Sequence, residues 1–175
     1  MQARKLKPAQ QRDEDFVKHL ENVELFAEIK ECAGALPALA LILEMRVYAP
    51  GEDIIREGEI GSEMYLMIDG NASVFKSTAE GEAYKVAILE SRHHVFFGEG
   101  GLLDSDARSA TIKADSECTC LVLNRQAFEI FSAKFPQWAL PILRRIARAV
   151  MARLKKTNID LTLLYNALVA EIRGN

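Results

Sequence analysis

The chain has 175 residues, 49% hydrophobic and 27% charged, with a formal net charge of −3. That length suits one domain with a full core plus an appendage, the balance reads as soluble and globular, and the net charge gives no global attraction to nucleic acid. No apolar run approaches the roughly 18 residues a bilayer span needs, and the basic start, Met1 to Pro8, has no apolar segment behind it of the kind a secretory leader requires.

Residues 1–13 are polar and predict a mobile tail. Over residues 14–32, Phe16, Val17, Leu20, Val23, Phe26 and Ile29 recur at helical spacing. Residues 33–45 are apolar, hold Gly34 and Pro37, and predict a short second helix. Strand signals follow: Val47-Tyr48 ahead of the Pro50-Gly51 turn, then residues 64–68 and 72–75 flanking Asp69-Gly70-Asn71, a hairpin signal. Further strand-like runs cover 84–89, 95–97, 109–114 and 119–123. Short strands broken by glycine turns indicate a sandwich or barrel. The predicted fold is mainly β with flanking helices: a β-roll of about eight strands. Residues 126–132 read as a short helix ended by Phe135-Pro136, and residues 137–172 as one long helix with Pro141 tolerated early in it. The expected division is a tail over 1–13, the roll with its N-terminal helices over 14–136, and a C-terminal helix over 137–175.

Cys32, Cys118 and Cys120 are odd in number and form no Cys-x-x-Cys, which reads as free thiols in a reducing cytoplasm. Cys118 and Cys120 share a strand face and read as small core residues, because zinc would need two further ligands at metal spacing. His93 and His94 are adjacent, so in extended backbone they point to opposite faces and are poor joint ligands of one metal ion. Neither a Ser/His/Asp set nor a Cys/His set is evident.

The segment with most chemical content runs from Phe97 to Thr111. It sets Glu99 and Arg108 nine residues apart across a glycine-rich turn, Gly98 to Gly101, with Leu102-Leu103 behind it. Such a set suits a small anion that also carries vicinal hydroxyls. Amides at a short helix start and an arginine fork would take the phosphate, and the carboxylate would accept from a ribose hydroxyl.

Phe97, Gly98, Glu99, Leu102, Leu103, Arg108, Ser109 and Ala110 resemble, at the usual spacing, the phosphate-binding cassette of the cyclic nucleotide-binding domain family. The stretch Pro50 to Gly70, with glycines at its turns, resembles the family's first β-hairpins, and the likeness covers roughly residues 20–153. The resemblance implies the cyclic nucleotide-binding β-roll (a double-stranded β-helix or jelly roll) with N-terminal helices and a long C-terminal helix. It implies a cyclic nucleotide as ligand, held by Phe97, Gly98, Glu99, Gly100, Gly101, Leu102, Arg108, Ser109 and Ala110. It also places a base contact near Arg153 or near Thr157. Ser109 adds a hydroxyl contact or meets a need for a small residue; in the family, alanine or serine here accompanies cAMP preference, ahead of cGMP or a cyclic dinucleotide. Gly100 stands where the family has a bulkier apolar residue, so two glycines raise the ordering cost of the short helix and leave room for a different ligand pose.

The expected function is therefore that of a cytoplasmic cAMP sensor, not an enzyme. It would need no cofactor or metal and would signal to an unidentified partner protein through its C-terminal helix. A ligand-free interaction scaffold of the same fold is the alternative, and a cupin-like metalloenzyme lacks its ligand set. Trp138 is read as anchoring the start of the long helix against the roll. The run Arg144, Arg145, Arg148, Arg153, Lys155, Lys156 is read as a solvated basic face. Only residues 157–175 follow it, too few for the family's helix-turn-helix DNA reader, so no sequence-specific DNA binding is expected; without a spanning apolar run, no membrane insertion is expected. Heptads counted from Ala147 place Ala147, Leu154, Leu161 and Leu168 at a, and Val150, Thr157, Leu164 and Glu171 at d. Met151, Tyr165 and Ile172 widen this stripe, which predicts a parallel homodimer.

Overall fold

The computed structural model describes residues 16–93, 95–104 and 107–174. The tail expected over 1–13 and His94 lie outside the described residues.

Residues 16–21 form helix α1. It stops at Asn22, whose side-chain amide donates to the Lys18 carbonyl at 3.1 Å. The helix expected to continue to residue 32 does not form. Leu20, Val23, Phe26 and Ile29 fall at every third position, which matches three residues per turn and not 3.6. The backbone follows that period: Val23 N donates to Leu20 O, Phe26 N to Val23 O and Ile29 N to Phe26 O, at 3.1, 3.0 and 2.9 Å. Glu24–Phe26 is a 3-10 turn. The expected apolar residues are buried, but by a tighter backbone.

Helix α2 spans Ala35–Ala40 behind Gly34, whose φ of 82° suits glycine. It does not reach residue 45. Strand β1, Leu43–Tyr48, begins there instead and pairs from Leu43↔Leu123 to Tyr48↔Cys118, so the ladder overrides the local helical reading. The other strands are β2 (Asp53–Ile55), β3 (Glu63–Asp69), β4 (Asn71–Ser77), β5 (Ala83–Glu90), β6 (Phe96–Phe97), β7 (Thr111–Ala114) and β8 (Cys118–Asn124). Among the described residues they make two four-stranded sheets, in the orders β1-β8-β3-β6 and β2-β7-β4-β5, with every pairing antiparallel.

This topology corrects the hairpin expected at Asp69-Gly70-Asn71. β3 pairs with β8 and β6, whereas β4 pairs with β7 and β5. Gly70, at φ 91°, carries the chain from one sheet to the other, and a Cβ there would overlap the Glu117 carbonyl. The Pro50-Gly51 turn is a second such corner: Gly51 N donates to Ala114 O at 2.7 Å and β2 pairs with β7, not with β1. The consecutive strands β4 and β5 do pair with each other.

The central strands of the first sheet, β3 and β8, are buried on both faces, whereas β1 leaves Met45 and Val47 exposed. Leu43, Met64, Leu66, Leu121 and Leu123 join Leu20, Phe26, Phe128 and Ile142 of the helical layer. Tyr65, Met67, Cys118, Cys120 and Val122 face inward with Ile54, Ile55, Ala72 and Ile112 of the second sheet. Cys118 and Cys120 thus share the expected face, and burial pushes the Cys120 thiol up to about 12. Cys32 is exposed.

Helix α4 is Arg125–Lys134, capped by the Asn124 side chain, which accepts from Gln126 N at 2.9 Å. Pro136 opens helix α5, Pro136–Gly174, at a position where its missing N–H is not needed. Pro141 falls in the second turn, where it removes one helical hydrogen bond. Trp138 stacks on Phe135 with ring centroids 4.6 Å apart, and so anchors α5 to the end of α4. Ala139, Ile142 and Ile146 are buried. From Val150 to Arg173 every side chain is exposed except the half-buried Val169. No helix among the described residues is long and apolar enough to cross a membrane.

Ile146 is the last fully buried residue of α5. Ile146→Ala should lower unfolding free energy by about 2–5 kcal/mol in urea titration. A loss below 1 kcal/mol would show that α5 is held elsewhere.

Candidate functional site

Helix α3, Glu99–Leu103, has five residues and follows Gly98, whose φ of 72° is left-handed. A Cβ on Gly98 would lie 3.0 Å from Ile55 Cδ1 and 3.2 Å from the Glu63 carbonyl, so conformation and space both require glycine there. Phe97 is buried in the inner core, stacked on Tyr65 at 5.4 Å and 6° between planes. Leu102 is buried on the opposite side, in the helical layer. Phe97 and Leu102 hold the turn between the two cores.

Arg108 reaches back beneath this turn. Its Nη1 donates to Gly98 O at 2.9 Å and its Nη2 to Glu63 O at 2.7 Å. The guanidinium carbon is 5.9 Å from the centre of the Tyr65 ring. The main chain of Arg108 is anchored as well: its N–H donates to Glu59 O at 2.8 Å, and its carbonyl accepts from Gly58 N at 2.9 Å. A Cβ on Gly61 would overlap the guanidinium, and one on Gly101 would overlap Nη1 and approach Gly61 O to 2.7 Å. The side chain is half-buried. Two carbonyl bonds leave three of its five N–H groups for an anion.

Glu99 opens α3 with a side chain only 12% exposed. Its partner is Arg153 of α5, whose Nη1 donates to Glu99 Oε1. Arg153 Nη2 donates to Phe96 O at 3.0 Å, and its guanidinium carbon stands 5.4 Å from the Phe96 ring centre. The other end of α3 is held by Arg125, which donates to Gly101 O from Nε at 3.0 Å and Nη2 at 2.7 Å, and to Asp104 O.

The structure therefore brings Phe97, Gly98, Glu99, Gly101, Leu102, Arg108 and Arg153 together. Gly100 is beside them with open space where a Cβ would stand. Ser109 is exposed and Ala110 half-buried. Thr157 is not brought in: it is exposed on α5, and its hydroxyl donates to Arg153 O at 3.1 Å. Sequence reasoning missed Gly61, Glu63, Tyr65, Arg46 and Arg125. The Glu63 carboxylate takes a fork from Arg46 at 2.7 and 3.0 Å and the Tyr65 hydroxyl at 2.8 Å. Burial alone would raise the Glu63 carboxyl, but these bonds outweigh it and hold it below the ordinary carboxylate range. Burial, then the Glu63 bond, pushes the Tyr65 hydroxyl well above the ordinary phenol range.

A two-sheet antiparallel roll with an arginine fork and a carboxylate on either side of a glycine turn defines a small-ligand binding module. The chain belongs to the cyclic nucleotide-binding domain family, whose family model matches residues 45–134. It is 36% identical over 121 residues to cGMP-dependent protein kinase 2 of Mus musculus, covering 69% of this chain and 16% of that protein. It is 36% identical over 90 residues to the cAMP-dependent protein kinase regulatory subunit of Blastocladiella emersonii, covering 51% of this chain and 22% of that one. The chain thus spans less than a quarter of the length of these relatives. Among solved structures, the Thermus thermophilus catabolite activator protein superposes with a TM-score of 0.68 at 23% identity, covering 83% of this chain and 62% of that one, a likeness of fold.

The two glycines of α3 differ in what they tolerate. Gly100→Ala meets open space and should stabilise the fold by about 0.5–1 kcal/mol through helix propensity. Gly101→Ala should cost about 1–3 kcal/mol by displacing Arg108. Melting of the two variants side by side checks this, and equal effects would contradict the geometry.

Proposed function

We propose that this chain is a sensor of a purine cyclic mononucleotide, cAMP in the first place, and works as a binding module, not an enzyme. The observation that carries the reading is the Arg108 guanidinium clamped under the Gly98 turn, with Glu99 the next residue of that turn. The fork takes the cyclic phosphate and Glu99 accepts from the ribose 2′-hydroxyl. The small residue at Ser109 supports adenine over guanine. The relative named a cGMP-dependent kinase favours cGMP as the second ligand to try.

The output runs through α5 to a partner protein in the cytoplasm. What supports this is that Arg153 already holds the Glu99 carboxylate. A ribose hydroxyl arriving at Glu99 competes with Arg153, so the contact between α5 and the cassette differs with and without ligand, as signalling requires. A ligand-free scaffold is the second reading. It is favoured by the contacts both charged groups already make within the chain, Arg108 with two carbonyls and Glu99 with Arg153.

Calorimetric titration with cAMP, cGMP and a cyclic dinucleotide decides between them. Arg108→Ala should weaken cAMP binding by about 1.5–3 kcal/mol, tenfold or more. Unchanged affinity would sink the assignment, and a folded wild-type chain that binds none of the three would favour the scaffold.

The functional unit is proposed to be a parallel homodimer through α5. Val150, Leu154, Leu161, Leu164, Tyr165, Leu168 and Ile172 are 39–69% exposed and line one side of the helix over a stretch that its own domain leaves bare. Sedimentation should give a dimer at micromolar concentration that Leu161→Glu with Leu164→Glu dissociates. A wild-type monomer would refute the dimer and leave the ligand assignment standing.

A further inference from the structure

Arg108 is tied to an acidic residue at the start of β3, Glu63. The Glu63 main-chain carbonyl accepts from Arg108 Nη2 at 2.7 Å. The carboxylate of the same residue feels the Arg108 charge, which lowers its proton affinity. That carboxylate pairs with Arg46 and not with Arg108. Arg46, on β1 two strands away, grips Glu63 Oε1 and Oε2 at 2.7 and 3.0 Å, and the Tyr65 hydroxyl donates to Oε2 at 2.8 Å. Arg46 also reaches Glu44 at 2.9 Å. The Glu63 side chain is 23% exposed and Arg46 34%. In such partly desolvated surroundings a bidentate arginine–carboxylate fork is a strong, directional pairing.

We propose that Arg46 is a positioning residue for phosphate recognition: by occupying the Glu63 carboxylate it keeps that acid from capturing Arg108, the guanidinium meant for the ligand. The proposal rests on the reading of Arg108 as the phosphate-binding group. Without Arg46, Glu63 retains one hydroxyl donor and an unneutralised charge. The other cation that acts on this charge is Arg108, already bonded to the carbonyl of the same residue. A guanidinium drawn onto Glu63 has fewer N–H groups for a phosphate, and its charge is neutralised before the ligand arrives. The Tyr65 ring stands against both partners, with its hydroxyl on Glu63 and its face toward Arg108, so the two groups already share one wall.

The test is a double-mutant cycle read by calorimetric titration of the full chain with cAMP and cGMP. Arg46→Met should weaken nucleotide binding about tenfold, the scale of one lost charge-assisted bond. Glu63→Gln, which removes the competing charge and is measured alone as the reference of the cycle, should restore most of the affinity when added to Arg46→Met. Rescue is the discriminating readout, since an Arg46 that merely braces the roll gains nothing from losing its partner's charge. Unchanged affinity in Arg46→Met overturns the proposal, as does a loss that Glu63→Gln leaves unrepaired. If Arg46→Met does not fold, Arg46→Lys keeps the charge without the fork, and the same rescue is required of it. A folded wild-type chain that binds no cyclic nucleotide overturns the nucleotide reading and this inference with it; binding with no Arg46 effect overturns this inference alone.

Discussion

The placement of one side chain, Arg108, sets the terms for its surroundings. A guanidinium is planar, always charged and costly to bury unless its N–H groups find acceptors. Here the acceptors are two main-chain carbonyls, Gly98 on the turn before α3 and Glu63 at the start of β3. Reaching both forces the side chain across Gly61 and Gly101, and neither position has room for a Cβ. The turn, the short helix and the first residues of β3 are therefore one mechanical unit whose common member is the group proposed to meet the phosphate.

Five residues cannot sustain a helix alone, because nucleation fixes several dihedrals before it gains a hydrogen bond. The conformation of α3 is delegated to three arginines from outside it: Arg108 at Gly98, Arg125 of α4 at Gly101 and Asp104, and Arg153 of α5 at Glu99. Each comes from a different element, so the cassette reads the positions of α4 and α5 as well as the roll.

The cassette could be read from the sequence because its members lie within fourteen residues, Phe97 to Ala110, and the turn's glycines mark themselves. Its supports could not. Arg46, Gly61, Glu63 and Arg125 are ordinary surface-type residues until the strand order brings them to Arg108 and α3. The corner at Asp69-Gly70-Asn71 reads as a hairpin for a related reason. Local turn chemistry is the same whether the next strand folds back on its neighbour or crosses to another sheet, and the deciding partners, β7 and β8, lie some forty residues on. In the N-terminal segment, by contrast, the spacing itself held the answer: apolar residues at 20, 23, 26 and 29 repeat at three, the period of the 3-10 backbone that forms.

The basic run on α5 is divided by what it meets. Arg145 pairs with Glu24 and Glu28, and Arg148 with Glu28, so acids of the N-terminal segment answer a run that has none of its own. Together with Ala139, Ile142 and Ile146 in the core, they fix the first third of the helix. Beyond Ala149, Arg153 ties α5 to the roll through Glu99 and Phe96. The two attachments differ in strength. Each buried isoleucine is worth about 2–5 kcal/mol, whereas an ion pair whose arginine is 52% exposed contributes about 0–1 kcal/mol after solvent screening. On the proposed reading, a nucleotide competing for Glu99 works against the weak attachment and leaves the strong one intact. The change it produces is then confined to the part of α5 that carries the exposed apolar stripe.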